Sequence, residues 1–477
     1  MVQNYTIASA PGKVLLTGGY LVLDQAFSGL VVSTSARFYT AIRPGQASTG
    51  HIEVHSPQFD QASWSYSATA TKDRLAFSAL PSDSRNKFVE TCLFFSLTLL
   101  LEKLGEQQFN ACLENGLAIT IVGDNDFYSQ RAQLQAKQLP NDAASLESLD
   151  PFCQTHATLQ TVHKTGLGSS AALITSLVAA LFLHFGGVNS VQNDKDRLLI
   201  HNVAQFVHCF AQGKVGSGFD VSSAVWGSHH YRRFNPAILS PVMEEHVEPK
   251  LLLDTLAYDN KSWDNNVVHF KLPFGFELML ADIDAGSHTP TLVGKVLAWR
   301  KAQPEEADAL WGELGERNSK VEQHFRDLES THTDDPATYE DAIRQCAQLK
   351  ASQWSSINSQ NSVVQKMVAL VNDFGRVREL LRKMSRLSGV PIEPEEQTRL
   401  LDACMEVEGT IMAGVPGAGG YDAIFCIVLS DVAKRNVRRV WAEWAELSTG
   451  PLLAKEDSNG VTSVASDSVR GLLSTLV

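Results

Sequence analysis

The sequence predicts an α+β protein of two domains. Three observations carry this: the first forty residues alternate short strand-like runs with turns, three apolar helical stretches follow, and helices dominate beyond about residue 273 until a glycine-rich turn feeds one late strand. We expect one domain over 1–272, with a polar insertion near 128–165, and a second over 273–477. A chain of 477 residues is long enough to bury a core in each. No internal repeat or low-complexity tract interrupts it.

The opening runs "YTIASA", "KVLLTGGYLVLD" and "GLVVSTSARFYTAI" read as strands punctuated by Pro11-Gly12-Lys13 and Gly18-Gly19. "FVETCLFFSLTLLLEKLG" reads as a buried helix and "GLAITIVG" as a strand. Residues 128–165 are polar and carry Pro140 and Pro151, the texture of an insertion, a lid or a disordered segment. "KTGLGSSAAL" then opens a second apolar helix, and "RLLIHNVAQFVHCFAQG" forms a third that leads into "KVGSGFDVSSAVWGSHHYRRF", where His229 and His230 are strand residues. "NVVHFKLPFGFELMLADI" reads as paired strands. Later, "TPTLVGKVLAWRKA", residues 338–357 and "VVQKMVALVNDFGRVRELLRKMSRLSG" read as helices, the last stopped by Gly389 with Pro391 beyond. Arg378, Arg382 and Arg386 recur at helical spacing beside Glu379 and Lys383, so we expect a solvated basic face.

The formal net charge of -13 argues against nucleic acid or an anionic membrane as partner, and leaves a small anion possible only where basic residues concentrate. The cysteines at 92, 112, 153, 209, 346, 404 and 426 are odd in number and form no CxxC, which disfavours a disulfide framework or a zinc site. The first residues lack a basic leader, and the longest apolar stretch, 171–185, is broken by Thr175, Ser176 and His184 and falls short of the roughly twenty residues a bilayer needs. A cytoplasmic protein, monomer or homodimer, is expected.

The stretch "KTGLGSSAAL" carries the chemistry. A helix N-terminus offers unpaired amides and about half a positive charge, so it attracts phosphate without any side chain. Gly166 and Gly168 let the backbone curl around an anion, and Ser169 and Ser170 add hydroxyls. The plainer alternative is that a serine caps a buried helix. Gly166–Ala171 also satisfies G-x-G-x-x-A, but the acidic-ended strand a dinucleotide fingerprint requires is replaced by the hydrophilic "GGVNSVQNDKDR". No Gly-Lys-Ser/Thr follows, so a Walker A loop is absent. Three further glycine stretches stand with it: "SAPGKVLLTGGYLVLD" with Lys13, "AQGKVGSGFDV" with Asp220, and "GVPGAGGYDAIFCIVL". Each alone admits a bland reading as a hairpin, a helix cap or a turn.

Together, in the order PGK, GLGSSAA, SGFD, PGAGGYD, they resemble the GHMP kinase superfamily. With "GSHHYRRF" they look like its fungal-type phosphomevalonate kinases, which use ATP and Mg2+ to convert (R)-5-phosphomevalonate to 5-diphosphomevalonate on the route to isoprenoids and sterols. The resemblance implies an N-terminal domain like ribosomal protein S5, with a left-handed βαβ crossover, and a ferredoxin-like C-terminal domain. It implies that Gly166, Leu167, Gly168, Ser169, Ser170 and Ala171, beside Lys164, wrap the ATP phosphates, that Ser170 meets the metal, and that Lys13 and Asp220 face the reacting group. Gly417, Gly419 and Gly420 would close over the site. Two departures stand out. Many members of the superfamily carry G-E-Y or G-E-H where this chain has Gly18-Gly19-Tyr20, and several carry a glutamate, as a second metal ligand, where His208 and Cys209 fall.

Phosphoryl transfer asks for in-line positioning and for cations around the charge on the equatorial oxygens. The candidates are Lys13 first, then Lys164, Lys214, Arg232 and Arg233, one of the adjacent arginines being solvated. Around the acceptor we expect Lys13, Tyr20, Lys214, Ser217, Arg232 and the third glycine loop. Ser287 and Thr289 of "ADIDAGSHTPTLV" form either an anion loop or a simple helix cap. A phosphate monoester is largely dianionic at neutral pH, with a second pKa of about 6, so Asp220 is expected to orient Lys13 more than to remove a proton. The alternatives are a mevalonate kinase, or a ligand sensor that kept the fold without the activity.

Overall fold

The computed structural model describes residues 5–476 apart from 46–47, 72–73, 83, 245, 284–288 and 358–360. The first half opens with strands β1 (Thr6–Thr17), β2 (Ser28–Pro44), β3 (His51–His55), β4 (Ser63–Thr71) and β5 (Arg74–Ala79), helices α1 (Lys87–Leu104) and α2 (Glu106–Cys112), and strand β6 (Leu117–Gly123). Short helices α3 (Arg131–Ala136) and α4 (Ala143–Glu147) precede α5 (Ser169–Phe185), α6 (Asp194–Gln212), α7 (Phe219–Trp226), β7 (His229–Arg232), α8 (Pro249–Leu256) and β8 (Asn266–His269). The second half runs β9 (Glu277–Ile283), α9 (Thr289–Ala302), α10 (Pro304–Asp334), α11 (Pro336–Cys346), α12 (Ser362–Ser388), α13 (Glu395–Met405), β10 (Thr410–Gly414), β11 (Ala423–Val428), α14 (Asp431–Glu443), β12 (Thr449–Leu452) and β13 (Thr462–Ser463).

β2 is the spine of the first sheet, whose path is β13-β1-β2-β6-β3-β4-β5. Its 17 residues let one end pair with β6 while the other pairs with β7, which in turn carries β8. β3 and β6 are parallel, joined by the crossover through β4, β5, α1 and α2. α5 packs on β1 and β2 beneath α1, α6 and α7. It is apolar on nearly every side because neighbours cover it on every side. This burial fixes its N-terminus against β1, where the glycine loop enters.

The second sheet is antiparallel, in the order β10-β11-β9-β12. That is a ferredoxin-like arrangement in which α9–α13 fill the first crossover and α14 the second. Gly389 terminates α12 in the left-handed region, as its position predicted.

Several expectations require correction. β8 and β9 do not pair with each other; they lie in different sheets, because the turn between them passes from one layer to the next. Residues 128–165 fold into α3, α4 and a bridge between Tyr128 and Lys164, held by a small cluster of Leu134, Leu146 and Leu149. The tail leaves the second sheet after Leu452 and returns to the first, where β13 pairs with β1. We propose to draw the domain boundary between β8 and β9, with residues from about 454 onward added to the first domain. The arginine stripe is only partly a solvated face: Arg386 is exposed, but Arg378 is 7% exposed and, with Arg382, grips the fully buried carboxylate of Glu393 at 2.8 Å. Glu379 pairs with Arg376.

The strand returning between the sheets is tied down by a buried carboxyl. Asp126 Oδ1 accepts the Leu453 amide at 2.9 Å, and burial raises its pKa to about 6. Asp124 beside it, which accepts the Arg37 amide at 2.7 Å, is raised to about 7 for the same reason. A raised folded pKa means that the native state keeps a proton the unfolded chain releases, so this group's contribution weakens as pH climbs from the ordinary aspartate range through the folded value. Asp126→Asn keeps an acceptor oxygen without the charge. Urea unfolding should show it gaining on wild type between about pH 4 and 7, by up to roughly 3 kcal/mol; a gap independent of pH contradicts the assignment.

Candidate active site

The helix α5 starts without a side-chain cap. Gly168 occupies the N-cap position with φ 79°, and Ser169 and Ser170 lie already inside the first turn, so the capping alternative does not hold. The leading amides are therefore left for another acceptor. β1 runs alongside the loop: the Lys13 amide donates to Leu167 O at 2.9 Å and Lys13 Nζ donates to Gly166 O at 2.7 Å. A side chain at Gly168 would sit 3.0 Å from Lys13 Cε, so the missing Cβ lets the lysine stem lie across the loop.

Asp220 stands in the first turn of α7, with its Oδ1 accepting the Val221 amide at 2.9 Å. The ring of the preceding residue, Phe219, lies 5.6 Å from Lys13 Nζ. Loss of water around Lys13 lowers its pKa; the carboxylates of Asp220 and then Asp422 oppose that shift. Buried His208 joins the two glycine segments, its Nε2 3.1 Å from Ser170 Oγ and 3.8 Å from Asp220 Oδ2. Gln212 supports it at 3.0 Å.

The third glycine stretch links β10 to β11 and docks on the first. The Gly417 amide donates to Leu15 O at 3.1 Å, and the Tyr20 hydroxyl donates to Ala418 O at 2.7 Å. Any side chain at position 19 would overlap Gly417 O, which accounts physically for glycine in place of the relatives' acidic residue. On its far side the Gly420 amide donates to Ile392 O at 2.9 Å, next to the Glu393 gripped by Arg378 and Arg382. The buried ion cluster therefore anchors the backbone that supports the loop.

Lys13, Tyr20, Gly166, Ser217, Gly417 and Asp422 line one cavity of about 140 Å³. Asp422, not among the expected residues, closes the "PGAGGYD" stretch; an acid directly after the glycine run is the signal that marks it. Other expected residues do not line it. Lys214 is exposed on the turn after α6, Lys164 is exposed beside its bridge to Tyr128, and Arg232 donates to Asp264 O at 3.0 Å. Of the arginine pair, Arg233 is the buried member and donates to Leu23 O at 2.6 Å and Val215 O at 3.1 Å, tying the first motif to the turn before Ser217. Ser287 lies outside the described residues, as does the side chain of Thr289. Among the described residues no group of three or more His, Cys, Asp or Glu could hold a metal by itself.

Residues 146–228 match the GHMP kinases N terminal domain and residues 366–447 the GHMP kinases C terminal domain. The peroxisomal phosphomevalonate kinase of Arabidopsis thaliana is 38% identical over 491 aligned residues, covering 95% of each chain. This chain belongs to the phosphomevalonate kinases, within the GHMP kinases. The phosphomevalonate kinase of Aspergillus fumigatus is also 38% identical, over 89% of this chain and 87% of its own. Among solved structures, Streptococcus pneumoniae phosphomevalonate kinase in complex with phosphomevalonate and AMPPNP shares the fold, with a TM-score of 0.60 at 13% identity over 96% of this chain and all of its own. The Lin0012 protein of Listeria innocua does so at 0.66 and 15%, over 97% and 99%. The four glycine stretches thus pointed to the family that the whole chain supports.

The docking of the third loop can be tested by alanine. Gly417 has φ 64° and open space around it, so Gly417→Ala meets only the left-handed backbone cost of about 1–2 kcal/mol. Gly419 has φ 68°, and a Cβ there would overlap Ile392 O. Urea denaturation should therefore show Gly419→Ala losing at least about twice as much stability as Gly417→Ala; equal losses would mean that the loop does not rest on residue 392.

Proposed function

We propose that this enzyme transfers the γ-phosphoryl group of ATP to the phosphate of (R)-5-phosphomevalonate, yielding 5-diphosphomevalonate and ADP. The observation that supports this most is the attachment of Lys13 to the Gly166–Gly168 loop beside Asp220 and Asp422, in a chain 38% identical to a phosphomevalonate kinase across nearly its whole length. In this reading the uncapped amides of Gly168–Ala171 cradle the triphosphate, with Leu167 and Lys164 flanking. Ser170 Oγ is the protein contact for magnesium, kept in position by His208. That ion would neutralise phosphate charge, its remaining ligands being water and phosphate oxygens.

Lys13 meets the equatorial oxygens of the transferred group and the acceptor phosphate together. It must stay protonated to do so, although desolvation pulls its pKa down. Asp220 and Asp422 counter that pull from two sides. The acceptor arrives as a dianion, so its nucleophilic oxygen is already free and no protein base is needed. Tyr20 and Ser217 shape the acceptor side of the cavity, and the loop of Gly417, Gly419 and Gly420 covers it. All seven cysteines are free, which suits our reading of a reducing, cytosolic location.

A coupled assay should find ADP release with phosphomevalonate and none with mevalonate, and Lys13→Met should lower kcat by about a thousandfold or more. Turnover of mevalonate instead would reassign the acceptor, and no ADP with either would reduce the chain to a ligand sensor. In single-turnover measurements from about pH 5.5 to 8, Asp220→Asn should lose rate by a constant factor, whereas a missing base would deepen the loss as pH rises. Above that range either Asp220→Asn or Asp422→Asn removes a charge that keeps Lys13 protonated, so the alkaline limb should move to lower pH in both, further for Asp220, and return in Asp422→Glu; an unmoved limb in Asp422→Asn would remove Asp422 from this role.

A further inference from the structure

A second basic cavity opens at the far end of β9, about 20 Å of strand away from Asp422. β12 pairs with β9 only from Leu280 to Ile283. At Leu453 and Ala454 the chain swerves aside because Asp126 captures their amides. The edge of β9 at Glu277–Met279 is thereby left without a strand on that side, and α14 roofs the gap. The result is a wedge of about 400 Å³.

Its lining is unusual for a protein of net charge -13. Arg435, Arg438 and Lys455 all line it, and among the described residues none of the three has a carboxylate within ion-pair distance. Three acids also line it: Lys434 bridges Glu277 and Asp431, each at 2.6 Å, while the exposed Glu147 at the rim has no cation within ion-pair distance among the described residues, which leaves the four cations in excess by one. Two buried N–H groups at the wedge, Trp441 Nε1 and Arg438 Nε, have no acceptor, and Trp441 is only 2% exposed. Buried donors left unpaired cost about 1–3 kcal/mol each, so such a pair beside a cavity calls for an acceptor from outside the chain. Guanidinium groups match phosphate oxygens in fork geometry, while Leu278 and Leu453 offer an apolar wall.

We propose that this wedge is a second ligand site, separate from the catalytic cavity, for a small phosphate ester whose anionic head meets Arg435, Arg438 and Lys455 and whose carbon chain lies against the leucines. The test reads the site directly. In 15N-indole NMR spectra of the full chain, the resonance lost in Trp441→Phe identifies one of eight tryptophans. That signal should shift on titration with butyl phosphate, which should bind more tightly than inorganic phosphate. The double variant Arg435→Gln/Arg438→Gln should weaken the binding by about tenfold or more while retaining wild-type thermal unfolding. Lys13→Met, in the catalytic cavity, should leave the titration unchanged, which keeps this result independent of the assigned reaction. A Trp441 signal that does not move at millimolar ligand, equal affinity for the ester and the inorganic ion, binding indifferent to the arginines, or binding lost in Lys13→Met would each overturn the proposal.

Discussion

The double attachment of Lys13 to the loop that opens α5 is the interaction on which the rest depends. Its amide holds Leu167 O and its ammonium holds Gly166 O, so one residue of β1 sets both the path of the loop and the position of the charge. A side chain at Gly168 would press on the lysine stem, which passes 3.0 Å from where its Cβ would stand. The buried helix behind the loop cannot yield, being enclosed by α1, α6, α7 and the sheet. A rigid anion cradle and a mobile-looking lysine therefore become one object. The other glycine segments are arranged around it: α7 supplies Asp220 from one side, and the β10–β11 loop supplies Asp422 from another.

What was legible in the sequence follows from this geometry. Glycine at 166 and 168 is demanded by backbone with positive φ at the mouth of α5, and such demands appear as residue types at fixed spacing. The helix ends were equally readable, since Gly389 with Pro391 leaves few alternatives. The convergence of four distant segments was another matter. Spacing cannot report that residues 13, 166 and 422 share one cavity wall with Asp220 acting on Lys13 beside it; resemblance to a family brought 13, 166 and 220 together beforehand and left Asp422 out.

The parts that escaped are those whose meaning depends on a partner far along the chain. Arg378 has the helical spacing of a surface stripe, but its face is decided by Glu393, in the turn after the helix ends. Arg232 and Arg233 look interchangeable, and strand alternation guarantees that one turns inward without saying which; the carbonyls of Leu23 and Val215 select Arg233. β8 and β9 share one apolar texture, and the layer each joins is set by β7 and β11. His208 departs from the pattern of relatives. Its contact with Ser170 shows that the position faces the loop, with an imidazole where the resemblance implies a glutamate in several members of the superfamily.

Charge explains why that departure is tolerable. Each carboxylate near a polyphosphate repels it, and each removed from Lys13 lets desolvation drain the lysine's proton. Asp220 and Asp422 sit on the lysine side, where their field acts first on the ammonium. A third carboxylate beside Ser170 would face the phosphate cradle with no cation assigned to it, whereas an imidazole holds the serine hydroxyl without adding negative charge. The same reasoning applies to Gly19: an acidic side chain there would meet Gly417 O, so the closing loop approaches as bare backbone. In the proposed reading an acidic protein handles two anions at once because Asp220 and Asp422 act on Lys13, while the attraction comes largely from backbone amides that carry no counter-charge at all.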